Sequence, residues 1–178
     1  MPETAGDKNK SLSLKSIGKG YLALLKDRQV MSGSLAIGLV TIPCLAWVAL
    51  SPVILIHDCG LSRMEYALLQ LPVFMAMIVG NLVLGRLASR VSIEQPLRLG
   101  AWPVISGLMM ATVATTLNAH SYLWLTVGLR VYGFGTGLIN AVLYRMTLFS
   151  SLAGKGSVAA MVGMVTILVF ALGIEAAK

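Results

Sequence analysis

The chain has 178 residues, of which 57% are hydrophobic and 12% charged, and its formal net charge is +7. Soluble domains average roughly 45–50% apolar and about 25% charged residues, so a soluble fold of this length would lack the polar side chains that cover a surface. We therefore expect a membrane protein. No nucleic-acid partner is expected, because the cations lie between apolar segments and do not cluster on one predicted face.

The first 28 residues form a basic leader. Apolar residues recur in it at helical spacing among lysines, as in a helix that lies on an anionic membrane surface: Leu14, Ile17, Tyr21, Leu24 and Leu25. A solvated linker that contains leucines explains the same residues equally well. A cleaved signal peptide does not, since its apolar region of roughly 7–15 residues is much shorter than the uncharged segment 29–56 that follows.

Five segments after the leader are long and apolar enough to cross a bilayer, because a helix needs about 20 residues to span a hydrocarbon core of roughly 30 Å. The predicted fold class is therefore all-α, a polytopic membrane bundle of five transmembrane helices. The predicted helices are residues 29–56, 66–86, 97–117, 122–144 and 156–176.

The distribution of cations predicts the orientation of these helices. Eleven of the 14 lysines and arginines lie in the leader or at residues 86–98 and 145–155. By the positive-inside rule these regions and the N-terminus are expected in the cytoplasm. Residues 57–63 and 118–121 are then expected as outer turns, and the C-terminus as external.

The first predicted helix has two prolines, Pro43 and Pro52, each of which removes a backbone hydrogen bond and favours a bend. Pro72 and Pro103 interrupt the next two helices, and this recurrence fits helices that curve around a central space. One face of the first helix has mixed polar and apolar residues: Thr41, Cys44, Leu45, Val48 and Pro52.

The second predicted helix has a narrow stripe of amide, aromatic and thioether side chains: Tyr66, Gln70, Phe74, Met77 and Asn81. Such a mixture suits a cavity for varied, partly apolar molecules, because aromatic and methionine side chains adapt while an amide orients a polar group. A helix–helix seam in which Gln70 and Asn81 bond to neighbouring helices fits the stripe equally well.

The fourth predicted helix has a track of small residues, Gly133, Gly137 and Ala141, that favours close packing of a neighbouring backbone. The track lies within an apolar helix, so it is not a nucleotide-binding loop. Arg130 in the same helix costs roughly 2.5–3.5 kcal/mol near a bilayer centre, which makes it a functional candidate. It lies about 12 Å from the outer boundary, and snorkelling to that boundary is the favoured interpretation. Arg145 is expected as an interfacial anchor.

Candidate catalytic groups are few. His57, Asp58 and Cys59 are adjacent in the chain and cannot fold back on one another as a catalytic triad must. His120 has no second histidine or acid near it at metal-ligand spacing. The acids lie at predicted helix ends or in loops. We therefore expect no enzyme, no metal site and no cofactor.

Segments along nearly the whole chain, in matching order and separation, resemble the C-terminal half of MdfA-type (Cmr) multidrug/proton antiporters of the major facilitator superfamily. The start of the chain, Met1-Pro-Glu-Thr4, is also similar to the sequence that follows the sixth helix in many drug exporters. The segments are Leu12-Ser-Leu-Lys15, Pro43-Cys-Leu-Ala-Trp47, Ser51-Pro52, Glu65-Tyr66, Leu69-Gln70, Pro72, Phe74, Gly80-Asn81, Trp102-Pro103, Tyr122-Leu-Trp124, Arg145-Met-Thr-Leu-Phe149 and Gly173-Ile-Glu175.

The resemblance implies an exporter of chloramphenicol and lipophilic, often cationic drugs, driven by proton entry across the bacterial inner membrane, with its cavity between two six-helix halves. The five helices would be the seventh to the eleventh. The C-terminal wall of the family's cavity falls here on Cys44, Leu45, Val48, Tyr66, Gln70 and Phe74. Arg145 falls on the arginine held important at the inner end of the tenth helix, and Asn81 and Arg130 are further candidates for a supporting role in transport.

The chain also departs from the family pattern. The acids on the family's first helix and the buried arginine on its fourth have no counterpart here. Cys44 stands where an aliphatic residue is expected and Arg130 where a small polar one is, and Gly85-Arg86-Leu-Ala-Ser-Arg90 is similar to a gating loop with Ser89 in place of its acid.

We therefore expect part of a multidrug exporter, with five of twelve helices, that needs an N-terminal half and is inactive alone. The alternatives are a structural or regulatory membrane subunit and, less favoured, a membrane-embedded enzyme.

Overall fold

The computed structural model describes residues 14–88, 91–117, 122–151 and 153–176. These residues fold into helices joined by short connections, and no strand occurs among them. The all-α polytopic fold is confirmed. The helices are α1 (Leu14–Lys26), α2 (Arg28–Pro52), α3 (Arg63–Leu87), α4 (Glu94–Leu117), α5 (Tyr122–Leu148) and α6 (Lys155–Ala176), with π-helical turns at Val53–Asp58 directly after α2.

In the part of the chain that the structure describes, four helical stretches are long and apolar enough to cross a membrane: Arg28–Asp58, Arg63–Leu87, Glu94–Leu117 and Lys155–Gly173. The fourth predicted span forms a helix of 27 residues, α5, but is not among the four. Arg130, Asn140 and several glycines lower its hydropathy, and it packs at the centre of the bundle against α2, α3 and α4. A helix that faces other helices needs small residues for close approach more than it needs apolar ones for lipid.

Glycines on two sides of α5 bring its backbone close to α3 and α4. On one side Gly133 and Gly137 lie against the backbone of α3 near Val73 and Met77. On the other side Gly128 and Gly135 lie against α4, where a Cβ added to Gly135 would come within 2.7 Å of the Val104 nitrogen. The predicted packing role therefore holds for two members of the predicted track, and the structure adds a second track that faces α4.

The leader helix α1 packs on the bundle through α2 and α6. Leu24 is 3% exposed in a cluster with Val30, Val158 and Met161. Asp27 separates α1 from α2 and caps α2, because its carboxylate accepts hydrogen bonds from the backbone N–H groups of Gln29 and Val30. Residues 14–26 of the leader therefore form a helix docked on the bundle, and its placement on a membrane surface stays a prediction.

The connection between α2 and α3 is short and locally determined. Gly60 has φ +67°, a conformation that glycine adopts without the steric cost of a side chain. Ser62 then begins α3 with a capping box, in which its hydroxyl accepts from the Glu65 backbone N–H and the Glu65 carboxylate accepts from the Ser62 backbone N–H. These residues define where the connection ends and where α3 begins. The other predicted outer turn, residues 118–121, lies outside the described residues.

Candidate functional site

A polar cluster joins α2 to α3 inside the predicted membrane region. The Trp47 indole N–H donates to Gln70 Oε1 at 2.7 Å. The Gln70 amide nitrogen donates to Ser51 Oγ at 2.8 Å and to the Tyr66 hydroxyl at 3.1 Å, and the two hydroxyls lie 3.2 Å apart. Trp47, Ser51 and Gln70 are buried and Tyr66 is half-buried. Two of the predicted wall residues, Tyr66 and Gln70, thus belong to one hydrogen-bonded unit.

The predicted stripe on α3 divides between the two interpretations given to it. Gln70 is buried and bonded to α2, as a helix–helix seam requires. Phe74 is 41% exposed and Met77 is half-buried. Asn81 is exposed and donates to the Met77 carbonyl of its own helix at 3.0 Å. A seam and an open apolar face therefore lie along the same helix.

The predicted wall residues on α2 lie beside this cluster. Cys44 and Leu45 are half-buried, and Val48 is 42% exposed. Phe74 on α3 is similarly exposed, at 41%. All six predicted wall residues therefore lie on two consecutive helices that the hydrogen bonds of this cluster connect.

Tyr132 of α5 bonds to the backbone of α2 beside Pro43, and sequence reasoning missed it. Its hydroxyl accepts from the Cys44 backbone N–H at 3.2 Å and donates to the Val40 carbonyl. These two backbone groups would bond to each other in an uninterrupted α-helix. The hydroxyl is therefore inserted into the backbone ladder of α2, one residue after Pro43. The glycines around Tyr132 indicated that its helix is closely packed. Periodicity could not identify its bonding partner, because Cys44 lies 88 residues away in the chain.

Two of the predicted supporting residues, Asn81 and Arg145, line the same cavity of about 300 Å³ between the ends of α3, α4 and α5. Apolar side chains such as Ile93 and Pro96 make up most of its lining, and Ala141 of the predicted small-residue track lies here as well. Ser89 and Arg90 of the predicted gating loop lie outside the described residues. The structure therefore brings together a cation and an amide at this end of the bundle.

The third supporting residue, Arg130, is half-buried and lines a separate open cavity of about 510 Å³ with Trp102, Ser106 and Phe134. Its Nε atom is buried, and it has no hydrogen-bond partner within the described part of the chain. The cavity lies between α4 and α5, away from the polar cluster on α2 and α3. Arg130 thus lies apart from the six predicted wall residues.

Among the candidate catalytic residues that the structure describes, His57 Nδ1 and Asp58 Oδ1 form an exposed pair at 3.0 Å. Cys44 and Cys59 are free thiols. Within the described ranges no three potential metal ligands lie together, and His120 falls outside those ranges.

Comparison with curated proteins shows that this chain is similar along its whole length to proteins named multidrug transporter MdfA. It is 49% identical to that of Edwardsiella ictaluri, 48% to that of Escherichia coli O6:H1 and 50% to that of Yersinia pestis bv. Antiqua. In each case all of this chain is matched, and it spans 43–44% of the relative's length. No protein-family model matches the chain. The resemblance inferred from its motifs is thereby confirmed.

Proposed function

For a chain that matches MdfA multidrug transporters over its full length, we propose a function as part of a drug/proton antiporter that exports chloramphenicol and lipophilic cations. The observation that carries the proposal is the identity of 48–50% over all 178 residues. The proposed location is the bacterial inner membrane, with the N-terminus in the cytoplasm, because the cations concentrate in the leader and in the two loops assigned to that side.

In this proposal the helices α2 and α3 supply one wall of the drug cavity. Val48 and Phe74 offer apolar surface, with Cys44 and Leu45 beside them. Tyr66 and Gln70 add polar groups in a fixed arrangement. A mostly apolar surface with few oriented polar groups suits lipophilic molecules of varied shape.

The proton-carrying step is assigned to a partner half. The acids of the described residues lie at the ends of helices or in the turns between them: Asp27, Asp58, Glu65, Glu94 and Glu175. A proton carrier in an antiporter is expected to lie deep within the membrane. Asn81 and Arg145 are proposed to support transport from the cavity that they share, and Arg130 from its separate position. The chain is therefore proposed to need an N-terminal half and to be inactive alone.

Expression in drug-sensitive bacteria tests the proposal. The chain is produced alone, the N-terminal half of an MdfA relative is produced alone, and the two are produced together. We expect resistance to chloramphenicol and to a lipophilic cation only in the third case, and we expect an uncoupler of the proton gradient to abolish it.

Two outcomes would contradict this function. Uncoupler-sensitive efflux from the chain alone would show that it needs no partner half. Co-purification with a full-length exporter, without efflux in the two-half experiment, would favour a structural or regulatory subunit instead. A membrane-embedded enzyme has no support from the named relatives, which are transporters.

A further inference from the structure

The hydrogen-bond directions in the polar cluster follow from the chemistry of Trp47. An indole N–H is a donor and has no acceptor capacity. Because it lies 2.7 Å from the side-chain amide of Gln70, the amide must present its oxygen to Trp47. The two N–H bonds of the amide then point at Ser51 Oγ, 2.8 Å away, and at the Tyr66 hydroxyl, 3.1 Å away.

The Ser51 proton has one available acceptor. Ser51 is fully buried, and its Oγ has two side-chain partners among the described residues, the Gln70 amide nitrogen and the Tyr66 hydroxyl. The amide nitrogen donates and cannot accept. Because a buried hydroxyl donor is normally hydrogen-bonded, we direct the Ser51 proton at the Tyr66 oxygen, 3.2 Å away.

The Tyr66 oxygen consequently accepts two hydrogen bonds, one from Gln70 and one from Ser51. A hydroxyl accepts about two such bonds, so its acceptor capacity is used. Its own proton has no acceptor in the cluster, and the side chain is half-buried, with part of its surface open.

We propose that Tyr66 is a one-way hydrogen-bond donor on the cavity wall, selecting drugs that present an acceptor such as a carbonyl oxygen, and that Trp47 determines this polarity. The inference rests on the proposed drug-binding function and adds the chemical class recognised at this point of the wall. Tyr66 contacts the drug, whereas Trp47 is a positioning residue that acts through Gln70. Without the indole N–H, the Gln70 amide can turn its oxygen towards Tyr66. That oxygen would then accept the hydrogen bond that the Tyr66 hydroxyl otherwise offers to a drug.

The first test measures the cluster itself, in the chain labelled with ¹⁵N at its three indoles. The Trp47 indole proton is expected downfield of the other two and slow to exchange with solvent, because the exposed Trp102 and Trp124 lack such a partner within the described residues. The Gln70→Leu substitution should shift the Trp47 signal alone. If Gln70→Leu leaves the chemical shift of the Trp47 indole proton unchanged, the proposal is overturned, whatever the transport activity of the variant.

The second test uses ligands on one aromatic scaffold, an aryl ketone and the isosteric alkene that lacks the oxygen. Affinities are measured with the two halves co-expressed and reconstituted in lipid nanodiscs. One neutral hydrogen bond predicts a ketone preference of about fivefold. Tyr66→Phe and Trp47→Phe should both abolish this preference, while Trp124→Phe, a matched change at an exposed indole, should preserve it.

The outcomes distinguish a failure of this inference from a failure of the proposed drug-export function. If ketone and alkene bind equally to the unsubstituted protein, or if the preference survives Tyr66→Phe, the proposed polarity is wrong while drug binding stands. If the preference survives Trp47→Phe, the positioning role of Trp47 is wrong. If neither ligand binds, the proposed function fails, and the inference fails with it.

Discussion

The Gly135→Ala substitution tests how closely α4 and α5 are packed. An added Cβ would lie 2.7 Å from the Val104 nitrogen, 2.8 Å from the Gly100 carbonyl oxygen and 2.9 Å from the Val104 Cγ2 atom. Two of these three atoms belong to the backbone of α4, so a change of rotamer cannot relieve the overlap. Ordinary contact begins at 3.4 Å, and the two helices must therefore separate by about 0.7 Å along much of their interface.

The expected cost is about 1–3 kcal/mol of unfolding free energy, the range for overpacking a well-packed site. Alanine is a better helix former than glycine by up to about 1 kcal/mol, which opposes this loss. The matched control isolates the clash: Gly163→Ala makes the same change within α6, where nothing lies within 4 Å of the added Cβ. That variant should be neutral or slightly stabilised.

The measurement is reversible unfolding of the purified chain by SDS in mixed micelles, followed by far-ultraviolet circular dichroism. Gly135→Ala should unfold at a lower SDS fraction than the unsubstituted chain, and Gly163→Ala should not. Equal stability of the two variants would refute the close α4–α5 packing.

Two further predictions concern contacts between distant segments. Tyr132→Phe removes the hydroxyl inserted into the ladder of α2 and should cost on the order of 1 kcal/mol in the same assay. Tyr144→Phe at a partly exposed ring should cost less, and equal losses would contradict the bridging role. Leu24→Glu should release α1 from α2 and α6, seen as faster amide hydrogen exchange in α1, because the 3% exposed Leu24 would become a buried charge. Leu22→Glu, at a side chain 56% exposed, should leave that exchange unchanged, and an equal acceleration would show that α1 is not docked through Leu24.

The helices of this protein were predictable because the signals that specify them are local. An apolar stretch of about 20 residues specifies a span whatever its neighbours are. Asp27 caps the start of α2 and the Ser62 capping box caps the start of α3, each through backbone groups two or three residues away. The predicted five long helices are accordingly all present as helices.

The central position of α5 was not predictable in the same way. Its small-residue track indicated close packing on one side, and Gly133 and Gly137 confirm it. Gly128 and Gly135 form the second track, and their role in close packing is visible only from the position of α4 in the structure. Arg130 likewise could be recognised as costly from the sequence, but its cavity with Trp102 could not.

The candidate wall shows the same division. Residue type and helical period were enough to select Tyr66, Gln70 and Phe74 as one face of a helix, but they left a cavity and a helix–helix seam equally favoured. The structure assigns Gln70 to a seam with Trp47 and leaves Phe74 open. Periodicity describes one helix at a time, whereas a hydrogen bond depends on which atom of another helix lies opposite.

The sequence by itself determined that this chain is a membrane helical bundle and that it resembles MdfA-type transporters, since hydropathy, length and motif order are properties of the chain. Only the tertiary structure decided that Tyr132 opens the ladder of α2 and that Trp47 orients the Gln70 amide. Both interactions join helices across 23 or more residues. Each depends on which atoms of two different helices lie opposite each other, and hydrophobic periodicity, which describes one helix at a time, does not encode this.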